Sequence, residues 1–305
     1  METSKLGKSN LISSRLVYGC MRIVGDNSDA DREKGKDAIR TAIEEGFTHF
    51  DHADIYGGGQ CETLFSEVLK EMPGARENII ITSKCGIRRT NQPNQGDPGR
   101  YDFSKEHIIQ SVEGSLTRLG VDCLDLLLLH RPDYLCDAEE VSETFQELRD
   151  AGKVLHFGVS NFRPSQVSLL QSYCAMPLLV NQVEINIHNI DALSDGTLDQ
   201  CQELKITPQA WCPIAGVAYP AWGNTFSEED EVRLKSEFDL QSQEYDSENG
   251  IIMLAWLLKH PAMILPIIGS TTPSRIKAAK QALDIPYSRE DWYRLLEARN
   301  GKPAG

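Results

Sequence analysis

The chain reads as an α/β protein, a closed barrel of alternating strands and helices occupying residues 1–305 as a single domain. Three observations predict this. Short apolar runs recur along the chain, with the density of LDLLLLH at 124–130, as parallel strands covered on both faces require. Amphipathic stretches separate them, which implies right-handed βαβ units. The runs number eight and the chain has 305 residues, the count and length of a (β/α)8 or TIM barrel rather than an open sheet.

Taken in order, the predicted strands are Leu16 to Cys20, Thr48 to His52, Ile79 to Ser83, Cys123 to His130, Val154 to Ser160, Leu178 to Val183, Thr207 to Trp211 and Met263 to Ile268. The first helix is expected over Asp31 to Glu45, with Ala38, Ala42 and Ile43 on one face and Gly46 as its stop. Ser104 is placed to cap a helix ending near Leu119, before Gly120. Further helices are expected over Ala138 to Ala151, Pro164 to Tyr173, Leu193 to Leu204, Ile251 to Lys259 and Ser274 to Ala282. Arg88 to Phe103, rich in Gly, Pro, Asn and Gln, reads as a long loop. Ala215 to Asn249 mixes aromatics with charges and forms a second insert. Both follow strand C-termini, the face where barrel active sites lie. Asn300 to Gly305 reads as a frayed tail.

A net charge of -14 argues against nucleic acid and against an anionic membrane surface, since each demands a basic face. The longest apolar run, Ile251 to Leu258, falls far short of the roughly 20 residues of a membrane span. The eight cysteines include no C-x-x-C pair, and METSKLGKSN carries no apolar signal core. Reduced thiols in a cytoplasmic protein are therefore expected.

The polar residues at predicted strand ends are Asp51, Tyr56, Lys84, His130, Ser160, Asn161, Gln182, Trp211 and Ser270. Each alone has a bland reading: a hydrogen-bonded core histidine, a solvated rim lysine, an indole packed on the rim. Together Asp51, Tyr56, Lys84 and His130 would converge on one rim, a position that reads as catalytic in a barrel.

The segment FTHFDHADIYG at 47–57 resembles the aldo-keto reductase signature. The likeness continues through ITSK ending at Lys84, LLLLHRPD around His130, GVSNF at 158–162, NQVEINI at 181–187 and GSTTPSRI at 269–276, essentially the whole chain in order. The resemblance implies reduction of aldehyde or ketone carbonyls with NADPH/NADP+, by a monomer acting on a small-molecule substrate. Tyr56 would be the general acid. A free phenol, with a pKa of about 10, exchanges its proton reluctantly near neutrality, so a cation beside it, Lys84, should lower that value. Lys84 would need a carboxylate, and Asp51 fits. His130 would donate to the substrate carbonyl or orient it.

The resemblance further implies that Ser160, Asn161 and Gln182 contact the nicotinamide amide. Trp211 stands where relatives stack a Tyr or Phe on the ring. Gly269, Ser270 and Thr271 would meet phosphate ahead of a helix, and Arg275 would grip the 2′-phosphate of NADP. Relatives often carry Lys at position 269 and a Glu-Asn pair after the Arg; here stand Gly269, Ala278 and Ala279. His52 replaces a usual Thr, and period-two alternation points it away from Asp51, whereas His49 and Asp51 share a face.

Candidate substrate-pocket residues are Tyr18, Arg22 and Trp222, with Met21, Arg131 and Phe226; several are apolar, suiting an aromatic or aliphatic carbonyl. Arg22 or Arg131 would take a substrate carboxylate or a surface ion pair. Rival readings are a metal-dependent barrel hydrolase using His49, Asp51, His52, Asp54 and His130, an aldolase with Lys84 as Schiff-base nucleophile, and an NADPH-binding sensor with little turnover.

Overall fold

The computed structural model describes residues 1–223 and 225–303. An antiparallel ribbon of β1 (Thr3–Lys5) and β2 (Ile12–Ser14) opens the chain. There follow β3 (Val17–Gly19), α1 (Asp29–Glu44), β4 (His49–Asp51), α2 (Gln60–Glu71) and β5 (Ile80–Cys85). A second ribbon pairs β6 (Ile87–Arg88) with β7 (Arg100–Tyr101). Then come α3 (Lys105–Leu119), β8 (Leu124–Leu129), α4 (Ala138–Asp150), β9 (Val154–Ser160), α5 (Pro164–Tyr173), β10 (Leu178–Glu184), α6 (Thr197–Leu204) and β11 (Thr207–Trp211). The chain ends with α7 (Glu228–Glu244), α8 (Asn249–Leu258), β12 (Leu265–Ile268), α9 (Pro273–Ala279) and α10 (Arg289–Asn300).

Strands β3, β4, β5, β8, β9, β10, β11 and β12 are parallel neighbours in that order and close on themselves. All eight coincide with the predicted runs, so the (β/α)8 or TIM barrel is the fold. Their alternation separates two cores. Val17, Ile80, Leu265 and Ile267 fill the lumen with Leu6, while Tyr18, Phe50, Leu127, Phe157 and Val159 face the helices. Leu6, fully buried, comes from the turn of the first ribbon and plugs the lower end, and the Gly7 N–H anchors that turn on Thr207 Oγ1 at 2.8 Å.

Side-chain caps mark several of the helix starts. Ser28 accepts from the Asp31 N–H, Asp137 from Glu139 and Glu140, and Ser288 from Asp291. Ser104 does occupy the cap position of α3, but its hydroxyl binds Asp102 Oδ1 and caps nothing.

Three helices were not expected. The start of α2 follows Gly57, Gly58 and Gly59, all at positive φ, so no side-chain cap marks it. Within the second insert, α7 buries only Leu234, Phe238 and Gln241, too few to set a period, although Ser227 and Asp230 form a capping box. The third, α10, packs on α8 through Trp256 and Trp292, whose rings stack at 4.8 Å and 3°. Each indole N–H of this pair donates to the other residue's carbonyl at 3.1 Å. The predicted helix from Leu193 begins only at Thr197, because Gly196 sits at φ 89°, and the one expected to reach Ala282 tightens into a 3₁₀ turn after Ala279.

Candidate active site

The four converging residues meet at the C-terminal rim of β4, β5 and β8. Alternation on β4 turns His49 and Asp51 into the lumen and Phe50 outward. On β5 the same rule turns in Thr82 and Lys84. Lys84 is 1% exposed, and its ammonium meets three acceptors: Asp51 Oδ2 at 2.7 Å, the His52 carbonyl at 2.8 Å and the Tyr56 hydroxyl at 3.1 Å. Burial alone would depress its pKa, but the attraction of Asp51, followed by that of Tyr56, outweighs it and holds the amine charged above its ordinary value. A Schiff-base nucleophile must be neutral, so this environment opposes the aldolase alternative.

Tyr56 hangs on the 3₁₀ turn Tyr56–Gly59. Its pKa is raised, not lowered as expected from the neighbouring cation: burial dominates, and Lys84 only offsets part of it. The phenol therefore keeps its proton at neutral pH and offers it as a donor. The His130 ring stands edge-on to Tyr56, centroids 5.9 Å apart. Burial, then the charges of Lys84 and Arg131, hold His130 well below the ordinary histidine value, so it is neutral. Its buried Nδ1 has no hydrogen-bond partner among the described residues.

Behind the quartet lies a second tier. Gln182 Nε2 donates to Asp51 Oδ1 at 2.8 Å and to Gln209 Oε1 at 2.9 Å. Ser160 Oγ donates to the Gln182 carbonyl. Asn161 Nδ2 donates to the His130 carbonyl and to Ser160 Oγ, and Asn161 Oδ1 accepts from Trp211 Nε1 at 2.9 Å. The polar groups expected to await a nicotinamide amide are thus largely engaged with one another. Gln209 is the residue that sequence reasoning missed: lying inside a predicted strand, it carries no signal beyond a polar type at an inward position.

Gly269, Ser270 and Thr271 form the half-buried turn between β12 and α9, where Ser270 Oγ accepts from the Thr272 N–H. Arg275 is exposed and has no ion pair among the described residues. Tyr18 does not line a pocket: fully buried on the outer face of β3, it packs on Phe47 and Phe50 and donates its hydroxyl to the Ser270 carbonyl. Arg22 and Trp222 are exposed at the mouth, Arg22 over the Tyr219 ring and Trp222 against Trp211. Phe226 stacks on His188. Beside Trp211 opens a cleft of about 390 Å³, whose lining includes Arg131, Glu184, Asn189, Asp191 and Trp222.

The histidine–aspartate cluster is divided between two faces. His49 sits inside the barrel, bound to Ser13 Oγ and Thr82 Oγ1. His52 lies outside against Phe65, ring centroids 4.5 Å apart. Asp54 faces Ser111 and Arg118, with its carboxyl pushed up to about 7 by burial and then by the like charge of Glu62. Among the described residues no three His, Cys, Asp or Glu gather as metal ligands, which leaves the hydrolase alternative without a centre.

The sequence model of the Aldo/keto reductase family matches residues 15–300. The chain is 42% identical over 289 residues to the oxidoreductase YdhF of Escherichia coli, covering 94% of each protein. It is 38% identical over 296 residues to the 6-dehydroglucose reductase of Agrobacterium fabrum, covering 95% of each. Among solved structures, the thermostable aldo-keto reductase Tm1743, in complex with the inhibitor epalrestat, matches with a TM-score of 0.83 and 27% identity, covering 98% of this chain and 100% of that one. A barrel whose rim joins a buried carboxylate–ammonium pair to a phenol, matched by this family over nearly its whole length, belongs to the aldo/keto reductase family of nicotinamide-dependent oxidoreductases.

Proposed function

We propose that the chain reduces an aldehyde or ketone to an alcohol with NADPH, and that Tyr56 is the proton donor. The observation that carries this reading is the unbroken chain Asp51–Lys84–Tyr56, all within hydrogen-bond reach at the barrel mouth. A bound nicotinamide supplies the hydride to the carbonyl carbon. As negative charge grows on the carbonyl oxygen, the Tyr56 hydroxyl transfers its proton there. The Lys84 ammonium, 3.1 Å away, stabilises the phenolate left behind. Asp51 keeps Lys84 charged and fixed. Neutral His130 brings a ring N–H within reach of the same oxygen. The pKa governing this step belongs to the cluster as a whole.

A polar atom left over at the mouth fits a nicotinamide cofactor: the buried His130 Nδ1, which has no hydrogen-bond partner among the described residues. Arg275, a cation without an ion pair among the described residues of a chain of net charge -14, fits the 2′-phosphate that distinguishes NADP from NAD. Ser270 and Thr271 lie within five residues of it in sequence.

The substrate side favours a polar molecule over an apolar one. The cleft joins the Trp211 and Trp222 rings to Arg131, Glu184, Asn189 and Asp191, a pairing of aromatic faces with fixed polar groups that suits a polyhydroxylated carbonyl such as an oxidised sugar. The relative named 6-dehydroglucose reductase supports this choice. Titration with NADPH and with NADH, followed by a screen of oxidised sugars beside aromatic aldehydes, tests the whole reading. Tight NADPH binding with turnover of the sugars is expected; binding of neither nucleotide would overturn it.

A further inference from the structure

The Asp51 carboxylate is held from two sides. Lys84 takes Oδ2, and the Gln182 amide nitrogen takes Oδ1 at 2.8 Å. That nitrogen has only one further hydrogen, and it goes to Gln209 Oε1 at 2.9 Å. Gln209 is fully buried on β11, the strand beside β10, and shares the inward face of Trp211. A primary amide carries its two donors on one side and its acceptor on the other. Turning the Gln182 amide over would set its carbonyl oxygen against Asp51 Oδ1 and Gln209 Oε1 together, three acceptors with no hydrogen among them. While Gln209 presents its oxygen, only one orientation of Gln182 satisfies both neighbours.

We propose that Gln209 is a positioning residue for the reduction: its side-chain oxygen locks the Gln182 amide in the orientation that grips Asp51, and through Asp51 it fixes the Lys84–Tyr56 pair. The assignment rests on the reductase reading given above. A second observation separates it from simple packing. The other end of the Gln209 amide, Nε2, is buried without any hydrogen-bond partner among the described residues. An unpaired buried donor weakens a fold, and an apolar side chain of equal length would avoid that cost. A residue present only to fill the lumen would gain nothing from this amide.

Gln209→Met keeps the length and removes both the acceptor and the unpaired donor. The variant is expected to melt near the wild-type temperature, since the unpaired donor it removes offsets the Gln182 hydrogen that it leaves without an acceptor, yet to lose kcat by about tenfold. In a Gln182→Met background the same substitution should change kcat little, since the two residues act in series. A readout independent of turnover is the side-chain amide signal of Gln182 in ¹⁵N-labelled free protein, identified by its disappearance in Gln182→Met. One of its two hydrogens should lose protection from exchange in Gln209→Met. Unchanged amide exchange, or a kcat within twofold of wild type, overturns the assignment. Should the wild-type chain reduce no carbonyl, the reductase reading fails on its own, and the amide signal still decides whether Gln209 holds Gln182.

Discussion

Acidification should destabilise this protein through two histidines that take no part in the reaction. His49 and His52 are both fully buried, and burial, followed by the Lys84 charge, lowers the pKa of each to about 3. An unfolded histidine titrates near 6.5. The folded value is the depressed one, so the unfolded chain binds more protons between these limits. Stability is fully present above about pH 6.5 and is lost as pH falls toward 3. At pH 5 the gap is about 1.5 units below the unfolded value, or about 2 kcal/mol for each histidine. Asp54, held protonated to about 7, works in the opposite direction, so the total pH dependence mixes signs.

His52→Phe isolates one contribution. Both ring nitrogens of His52 lack hydrogen-bond partners among the described residues, and its neighbour is Phe65, so an apolar ring suits the space. Thermal melts of wild type and variant at about pH 7.5 and about pH 5 give the comparison. The variant should lose about 2 kcal/mol less than wild type on acidification, some 3 °C in Tm for a chain of this size. Parallel losses in the two proteins would refute the argument, because they would mean that His52 takes up no additional proton on unfolding.

Tyr56→Phe should retain nucleotide binding, read by fluorescence titration, while carbonyl reduction falls by roughly 10²–10⁴. Lys84→Met leaves the Asp51 carboxylate buried without its cation and should cost about 3–5 kcal/mol in a denaturation midpoint, besides abolishing turnover. Arg275→Leu should weaken NADPH binding by about tenfold and leave NADH binding unchanged, the pattern expected from loss of one charge-assisted contact to a 2′-phosphate.

The barrel was legible because its signal is repeated: eight buried strands write eight apolar runs, and misjudging one end by a residue leaves the count intact. The rim was legible for a similar reason, since Asp51, Lys84 and His130 are ionisable residues closing apolar runs. What escaped was structure whose cause lies elsewhere in the chain. The start of α2 depends on glycine backbone, not on a capping side chain. Gln209 gained its meaning only from Gln182, 27 residues away in sequence and adjacent in the sheet. Tyr18 lies near a strand end, but the alternation that turns His52 outward turns it outward too, against Phe47 and Phe50. The raised pKa of Tyr56 was missed because sequence shows the neighbouring cation but not how completely the phenol is enclosed.

The chain's four tryptophans divide by location as well as by contact. Trp211 and Trp222 meet at the mouth, ring centroids 6.3 Å apart. Trp256 and Trp292 face each other between α8 and α10, joined by their reciprocal N–H donations. From their positions, light emitted by the first pair should respond to whatever enters the cleft, and that of the second to whether the C-terminal helix is docked. The protein thus carries two optical reporters, and replacing one pair with phenylalanine would let ligand entry be watched separately from unfolding in a single sample.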